Sequence, residues 1–204
     1  GNLGHIEFVK DLSGIKLRCD HSFNILNSLT LSQLRDVGVL GATLSSELNL
    51  KQLEGMSDVG LIGKEVIIYG RLPLMVSEYC PVGSIEGSKK QDKVCNDAAC
   101  KANRFLKDRM GAEFPALRDN IDCRSTLLNS SALFVPDVVN KLKESGMEFL
   151  RMNVWNESPE RINDLLVMFN DLAENGDRNY HKYNSFISKM QEEGFSKGHF
   201  FKGV

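Results

Sequence analysis

Cys80, Cys95, Cys100 and Cys123 fall in one 44-residue stretch with the spacing C-x14-C-x4-C-x22-C. Four thiolates converging from separate chain segments close a tetrahedral zinc site or hold an iron–sulfur cubane, because each ligand position needs deprotonated sulfur. The paired C-x2-C knuckles of structural zinc are missing here. Free buried thiols, or a disulfide such as Cys95–Cys100, are the competing reading, since an unligated cysteine is often a small core residue. Cys19 stands apart, inside an expected strand, and reads as such a core thiol.

A second set of reactive side chains sits where strands end. In βα proteins the loops after the strands share one mouth, so strand ends collect functional groups. Those ends supply Asp20, His21 and Asn24, then Ser45, Ser46 and Glu47, then Gly70 and Arg71, and finally Asn153. Asp20, His21, Asn24, Glu47, Arg71 and Asn153 are the candidate substrate-binding residues, and the cysteine stretch leaves from the same mouth. Structural roles compete with each. Asp20 and Asn24 suit turns bonded to their own backbone, Ser46 or Asn49 suits a helix cap, and Glu47 suits a solvated first turn. Arg71 can bind a substrate carboxylate or phosphate, or equally a structural partner such as Glu78 or Asp108. The four histidines, His5, His21, His181 and His199, share no metal-ligand spacing. No Gly-rich phosphate loop, nucleophile elbow or His-Glu-x-x-His pair is present.

The elements that must position these groups alternate between strand and helix, the pattern of a parallel sheet built from βα units. A helical run from His5 to Leu12 precedes an expected strand at Ile15 to Asp20, a helix at about Thr30 to Val37 and a strand at Val39 to Leu44. A helix from Asn49 to about Asp58 leads to a third strand, Glu65 to Tyr69, whose Val66-Ile67-Ile68 run suits a strand buried on both faces. Alternation then stops. Arg104 to Lys107 and Glu113 to Leu117 flank Gly111 as a β-hairpin. A helix from Pro136 to a glycine stop at Gly146, a fourth strand at Phe149 to Val154 and a helix capped by Ser158 with Pro159 at its first position follow. A last helix from about Asn179 to Glu193 and a loop-like tail complete the chain. The expected organisation is therefore βα units over residues 1–70, a cysteine-bearing insertion over 71–130, a last βα unit over 131–176, and a helix and tail over 177–204.

The 204 residues, 42% apolar and 25% charged, suffice for one sizeable core. A formal net charge of −2 offers no overall attraction to nucleic acid or membrane surface. No apolar run approaches a membrane span, and the five cysteines, an odd number, fit a reducing, cytoplasmic setting better than a secreted disulfide framework. Gly1-Asn2-Leu3-Gly4 reads as a loop after an earlier strand, so an N-terminal portion is expected to precede it. Four parallel strands with covering helices make half of a (β/α) TIM-type barrel, whose two unpaired edges call for that missing half or for a second copy of the chain.

Val66-Ile67-Ile68-Tyr69-Gly70-Arg71-Leu72-Pro73-Leu74-Met75, followed by Tyr79-Cys80-Pro81, resembles the collagenase-like peptidases, family 32 of the peptidases of unknown catalytic type. Asn2-Leu3-Gly4, Phe23-Asn24-Ile25-Leu26-Asn27-Ser28, Leu44-Ser45-Ser46-Glu47-Leu48, Asp122-Cys123-Arg124 and Gly194-Phe195-Ser196-Lys197-Gly198-His199-Phe200 extend the resemblance over most of the chain, in order. It implies the C-terminal half of a (β/α) barrel domain and a [4Fe–4S] cluster, with zinc as the alternative. In that reading Cys80 matches the cysteine after the third-strand motif, Cys95 and Cys100 the downstream pair, and Cys123 a fourth ligand used in some branches. The family's common His-Gly-Ala-Leu/Met-Cys is absent where Tyr69-Gly70-Arg71 and Met75 stand, which makes Cys123 necessary for a full set. The family name implies proteolysis, whereas other members resemble cluster-dependent factors for RNA or quinone hydroxylation. Peptide and RNA substrates, and a plain binding module, all remain open at this point.

Overall fold

The computed structural model describes residues 2–9, 11–56, 60, 62–85, 103–119, 121 and 123–202. Cys95 and Cys100 lie outside the described residues. The chain divides into two compact units, one of Gly1–Gly70 with Leu133–Val204 and one of Arg71–Ala132.

The first unit is mixed α/β. Its strands β1 (Leu17–Cys19), β2 (Val39–Thr43), β3 (Gly63–Gly70) and β9 (Phe149–Asn153) lie side by side in parallel. These are the four strands expected from the alternation. A short β8 (Ala132–Phe134) runs antiparallel to the end of β3, with Tyr69 opposite Phe134, and β10 (Phe195–Ser196) adds to β8. Among the described residues the sheet stays open, and no closed barrel forms.

One face of this sheet is covered by helices. Leu31 and Leu34 of α2 (Ser28–Asp36), Leu50 and Leu53 of α3 (Leu50–Glu54), Val139 and Leu142 of α5 (Val139–Glu144) and Leu165, Met168, Phe169 and Leu172 of α6 (Pro159–Asn175) are all buried. Such spacings put one apolar stripe on each helix. Phe134, fully buried, sits at the centre of an aromatic cluster, edge-on to Tyr69, Phe169, Phe186 and Phe195 at 5.1–6.4 Å. That cluster pulls Phe195 onto β8, which is why a tail expected as loop contains a strand.

The caps follow local chemistry. Ser158 Oγ accepts from the Arg161 amide at 3.2 Å, with Pro159 opening α6 as expected. Asn49, not Ser46, caps α3: its side chain accepts from the Gln52 amide and Gln52 answers to the Asn49 amide, each at 2.9 Å. The helix expected over 179–193 begins instead as a 3-10 turn at Gly176–Tyr183, continuing as α7 (Asn184–Glu193). The cause is Asp171, whose carboxylate accepts from Asn175, Asn179 and the Tyr183 hydroxyl at 2.6–2.7 Å and holds the turn tight against α6.

The second unit is an antiparallel sheet in the order β4 (Pro73–Ser77), β7 (Ser125–Leu128), β6 (Glu113–Arg118), β5 (Phe105–Lys107). The expected hairpin is its β5–β6 pair, closed by the Asp108 carboxylate accepting from the Met110 and Ala112 amides. Strand β4 escapes a reading of pattern because Leu74, Met75 and Val76 are all exposed, and β7 because only its two end residues, Ser125 and Leu128, are buried, so burial alternates in neither. A five-residue helix, α4 (Pro81–Ile85), follows Cys80. No helix among the described residues is long and apolar enough to cross a membrane.

Candidate functional site

On the face of the parallel sheet away from the helices, strand alternation lines up a row of charged side chains. Glu65 stands at its centre. Its carboxylate accepts from the Thr43 hydroxyl at 2.7 Å and pairs with Arg151 and Arg18, each at 3.5 Å. Arg18 also lies over the Phe149 ring at 4.3 Å, a cation–π contact. Gly41, directly opposite Arg18 in the ladder, makes the space: a Cβ there would fall 2.6 Å from the guanidinium carbon.

Arg151 carries this row to the strand ends. Its Nη1 meets Asp20 Oδ1 at 2.5 Å and its Nε donates to Asn153 Oδ1 at 2.8 Å, so Asp20 and Asn153 are gathered around one guanidinium. Asp20 Oδ1 also accepts from the His21 amide at 2.7 Å and lies 3.1 Å from His21 Nδ1. Burial pushes the Asp20 carboxyl up, but donation from the His21 amide, the His21 ring and Arg151 outweighs it and leaves the pKa below the usual carboxylate range. Gly70 completes the rim at φ 113°, where a Cβ would sit 2.0 Å from the Asn153 carbonyl oxygen. Asp20, His21 and Asn153 therefore come together.

The remaining candidates of this unit do not join them. Asn24 is exposed and takes the left-handed conformation at φ 49° that closes the 3-10 turn, its amide donating to the His21 carbonyl. Glu47 is exposed in the turn before α3, where its amide donates to Ser45 Oγ. Cys19 is buried on the helix-covered side opposite Ala42, and burial pushes its thiol pKa up, as an inert core cysteine requires. Arg18, Glu65 and Arg151 were missed by reading strand ends. Their signal was a charge inside each of three apolar strands, which costs stability unless the charges meet.

Arg71 belongs to the second unit and does not pair with Glu78 or Asp108. Its Nη1 donates to the carbonyls of Asn129, at 2.8 Å, and Ser130, which clamps the turn after β7. Glu78 instead pairs with Arg124 at 3.0 Å.

That pair has a topological meaning. In the β4–β7 ladder Ser77 lies opposite Ser125. The ladder ends there, with Cys80 three residues past Ser77 and Cys123 two residues before Ser125. Two of the four candidate cysteines are thus brought to one end of one ladder. Cys80 is 5% exposed, and its Sγ accepts the Gly83 amide at 3.2 Å. Cys123 is half-buried and holds a left-handed φ of 56°, rare for a residue with a Cβ. Among the described residues no three His, Cys, Asp or Glu side chains gather as a metal site.

No curated protein sequence and no solved structure matches the chain. The family model described as Peptidase family U32 matches residues 2–203, nearly the whole length, and the chain belongs to that family.

Proposed function

We propose that this U32 chain holds a metal group through Cys80, Cys95, Cys100 and Cys123, a [4Fe–4S] cluster in the first instance and zinc in the second. The observation that supports it is the β4–β7 register, which brings Cys80 and Cys123 to one ladder end from distant parts of the sequence. The donors suit such a group. The Cys80 sulfur already accepts the Gly83 amide, a hydrogen bond of the kind that orients a sulfur ligand. A cluster would supply one-electron chemistry and zinc a Lewis acid.

The peptidase activity named by the family rests on a different group. Asp20 Oδ1 at 3.1 Å from Nδ1 orients the His21 ring, which leaves Nε2 to take a proton from water attacking a peptide carbonyl. Cluster-dependent hydroxylation of RNA or a quinone is the second reading, favoured by the cysteine pair and by charges at the strand mouth that bind rather than attack. A non-catalytic binding module is the third. The four parallel strands are, in this proposal, half of a (β/α) barrel whose open edges are completed by an N-terminal half or a second copy of the chain.

The test is anaerobic reconstitution with iron and sulfide, followed by iron, sulfide and zinc analysis. Wild type should load about one group per chain, and Cys→Ser at each of the four positions should abolish loading while Cys19→Ser leaves it intact. Less than about one metal of any kind per chain rejects the site. Peptide hydrolysis by wild type that is lost in His21→Ala but kept after chelation would assign the activity to the peptidase reading; mass changes in RNA of a deletion strain would assign it to the second.

A further inference from the structure

Arg151 stands in β9 and Asp20 just past the end of β1, with β2 and β3 between those strands in the sheet. The guanidinium nevertheless meets the Asp20 carboxylate at 2.5 Å, so it reaches across the two central strands, and each of them helps to hold it. On its own strand Nε donates to Asn153 at 2.8 Å. Over β3 it pairs with Glu65 at 3.5 Å, and Glu65 is fixed in turn by the Thr43 hydroxyl of β2 at 2.7 Å. At the far end of this line Asp20 caps the 3-10 turn His21–Phe23. The cap needs only the bond from the His21 amide, and by itself it leaves a half-exposed carboxylate free to turn toward water. The contact to His21 Nδ1 at 3.1 Å asks for more, because a histidine ring takes its orientation and its tautomer from what one nitrogen meets. Burial pushes the Asp20 carboxyl up; of the donors that outweigh it, Arg151 alone comes from outside the turn.

We infer that Arg151 is a positioning residue for His21: it anchors the Asp20 carboxylate, and the anchored carboxylate holds the ring with its proton on Nδ1 and its lone pair on Nε2. This rests on the peptidase reading of His21 given above and deepens it. In that reaction the water oxygen bonds to the peptide carbonyl carbon as its proton passes to Nε2, and the same proton then goes to the leaving nitrogen as the C–N bond breaks. A ring that carried its proton on Nε2 could not accept the first one. An ion pair kept only for stability would need none of this convergence, since partly exposed pairs contribute little.

The experiment compares wild type, Arg151→Met and Arg151→Lys, isotope-labelled at the histidine nitrogens, with the His21 signals assigned by their loss in His21→Gln. Nitrogen NMR at mildly alkaline pH reads which ring nitrogen carries the proton. Wild type should show the Nδ1–H form; Arg151→Met should move the ring toward the Nε2–H form, and Arg151→Lys, which keeps a cation beside Asp20, should stay closer to wild type. With labelled casein as the probe, Arg151→Met should lower kcat on the order of a hundredfold and leave KM within about twofold. An unchanged tautomer in a folded Arg151→Met would overturn the inference while leaving the His21 reading to its own test, and the same result with lowered thermal midpoints in both variants would make Arg151 a structural residue. Should Arg151→Met not fold, Glu65→Gln, which loosens the arginine without removing it, should shift the ring part of the way, and a wild-type ring there would overturn the inference as well. A ring that responds in a protein whose wild type cleaves no casein would support the positioning and overturn the peptidase reading instead.

Discussion

Gly70 leaves no room for a side chain. Its φ of 113° disfavours any L residue, and the atom a Cβ would strike is a backbone oxygen 2.0 Å away that cannot swing aside. Gly70→Ala should therefore cost on the order of 3 kcal/mol or more, seen as a lowered urea midpoint. Gly41→Ala makes the opposite case. Its Cβ would meet only the mobile end of Arg18, 2.6 Å away, so the guanidinium should move and stability change by less than about 1 kcal/mol. A double-mutant cycle with Glu65→Gln would show whether the Arg18–Glu65 pair, already 3.5 Å apart, has then vanished. A wild-type-like coupling in the Gly41→Ala background would mean that Arg18 had not been displaced.

At the scale of elements, the chain's joints are held by single polar side chains. Asn49→Ala should cost about 1 kcal/mol through loss of the reciprocal cap on α3, whereas Ser46→Ala should be close to neutral. Asp171 joins α6 to the 3-10 turn, and the Tyr183 hydroxyl, Asn179 and Asn175 together lower its pKa from an ordinary 3.8 to about 2. The folded value lies below the unfolded one, so this stabilisation is fully present above pH 3.8 and drains away as pH falls through about 2. Tyr183 mirrors it: its bond to Asp171 raises its pKa from 10.0 to about 12, so the contribution is complete below 10.0 and lost as pH rises through about 12. Wild type should lose its stability lead over Asp171→Asn as urea melts are moved from pH 5 toward pH 2; a lead that stayed constant would place the pH dependence elsewhere. In the second unit, Arg71→Ala frees two carbonyls after β7 and should cost about 1–3 kcal/mol.

For the whole molecule, the consequence of a cysteine-held group is that its removal acts on one unit. Metal binding is folding free energy where the ligands come from loops. Chelating a loaded sample should speed amide hydrogen exchange across 71–132 and leave β1, β2, β3 and β9 slow, because the aromatic and aliphatic core of the first unit contains no ligand. Uniform speeding of both units would point to global unfolding instead, and no change in 71–132 would mean that the group does not organise it.

What the sequence determined by itself was local. Val66-Ile67-Ile68, the Ser158-Pro159 start of α6, the Asn49 cap among its competitors and the Gly111 hairpin are each specified by neighbours within a few residues, and the four parallel strands follow from their alternation with helices. The resemblance carried by Tyr69-Gly70-Arg71 and Tyr79-Cys80-Pro81 was likewise legible, and the family match over 2–203 agrees with it. Only the tertiary structure decided which polar residues meet. Glu65 gathers Arg18, Thr43 and Arg151 because strand pairing puts alternate residues of neighbouring strands on one face, a register no single segment encodes. Arg71 was left with carbonyl partners, and Asn24 and Glu47 with solvent, for the same reason. Cys80 and Cys123 were brought to one end of a ladder through the register of β4 on β7, and the exposed apolar run of β4 hides that strand from a reading of pattern.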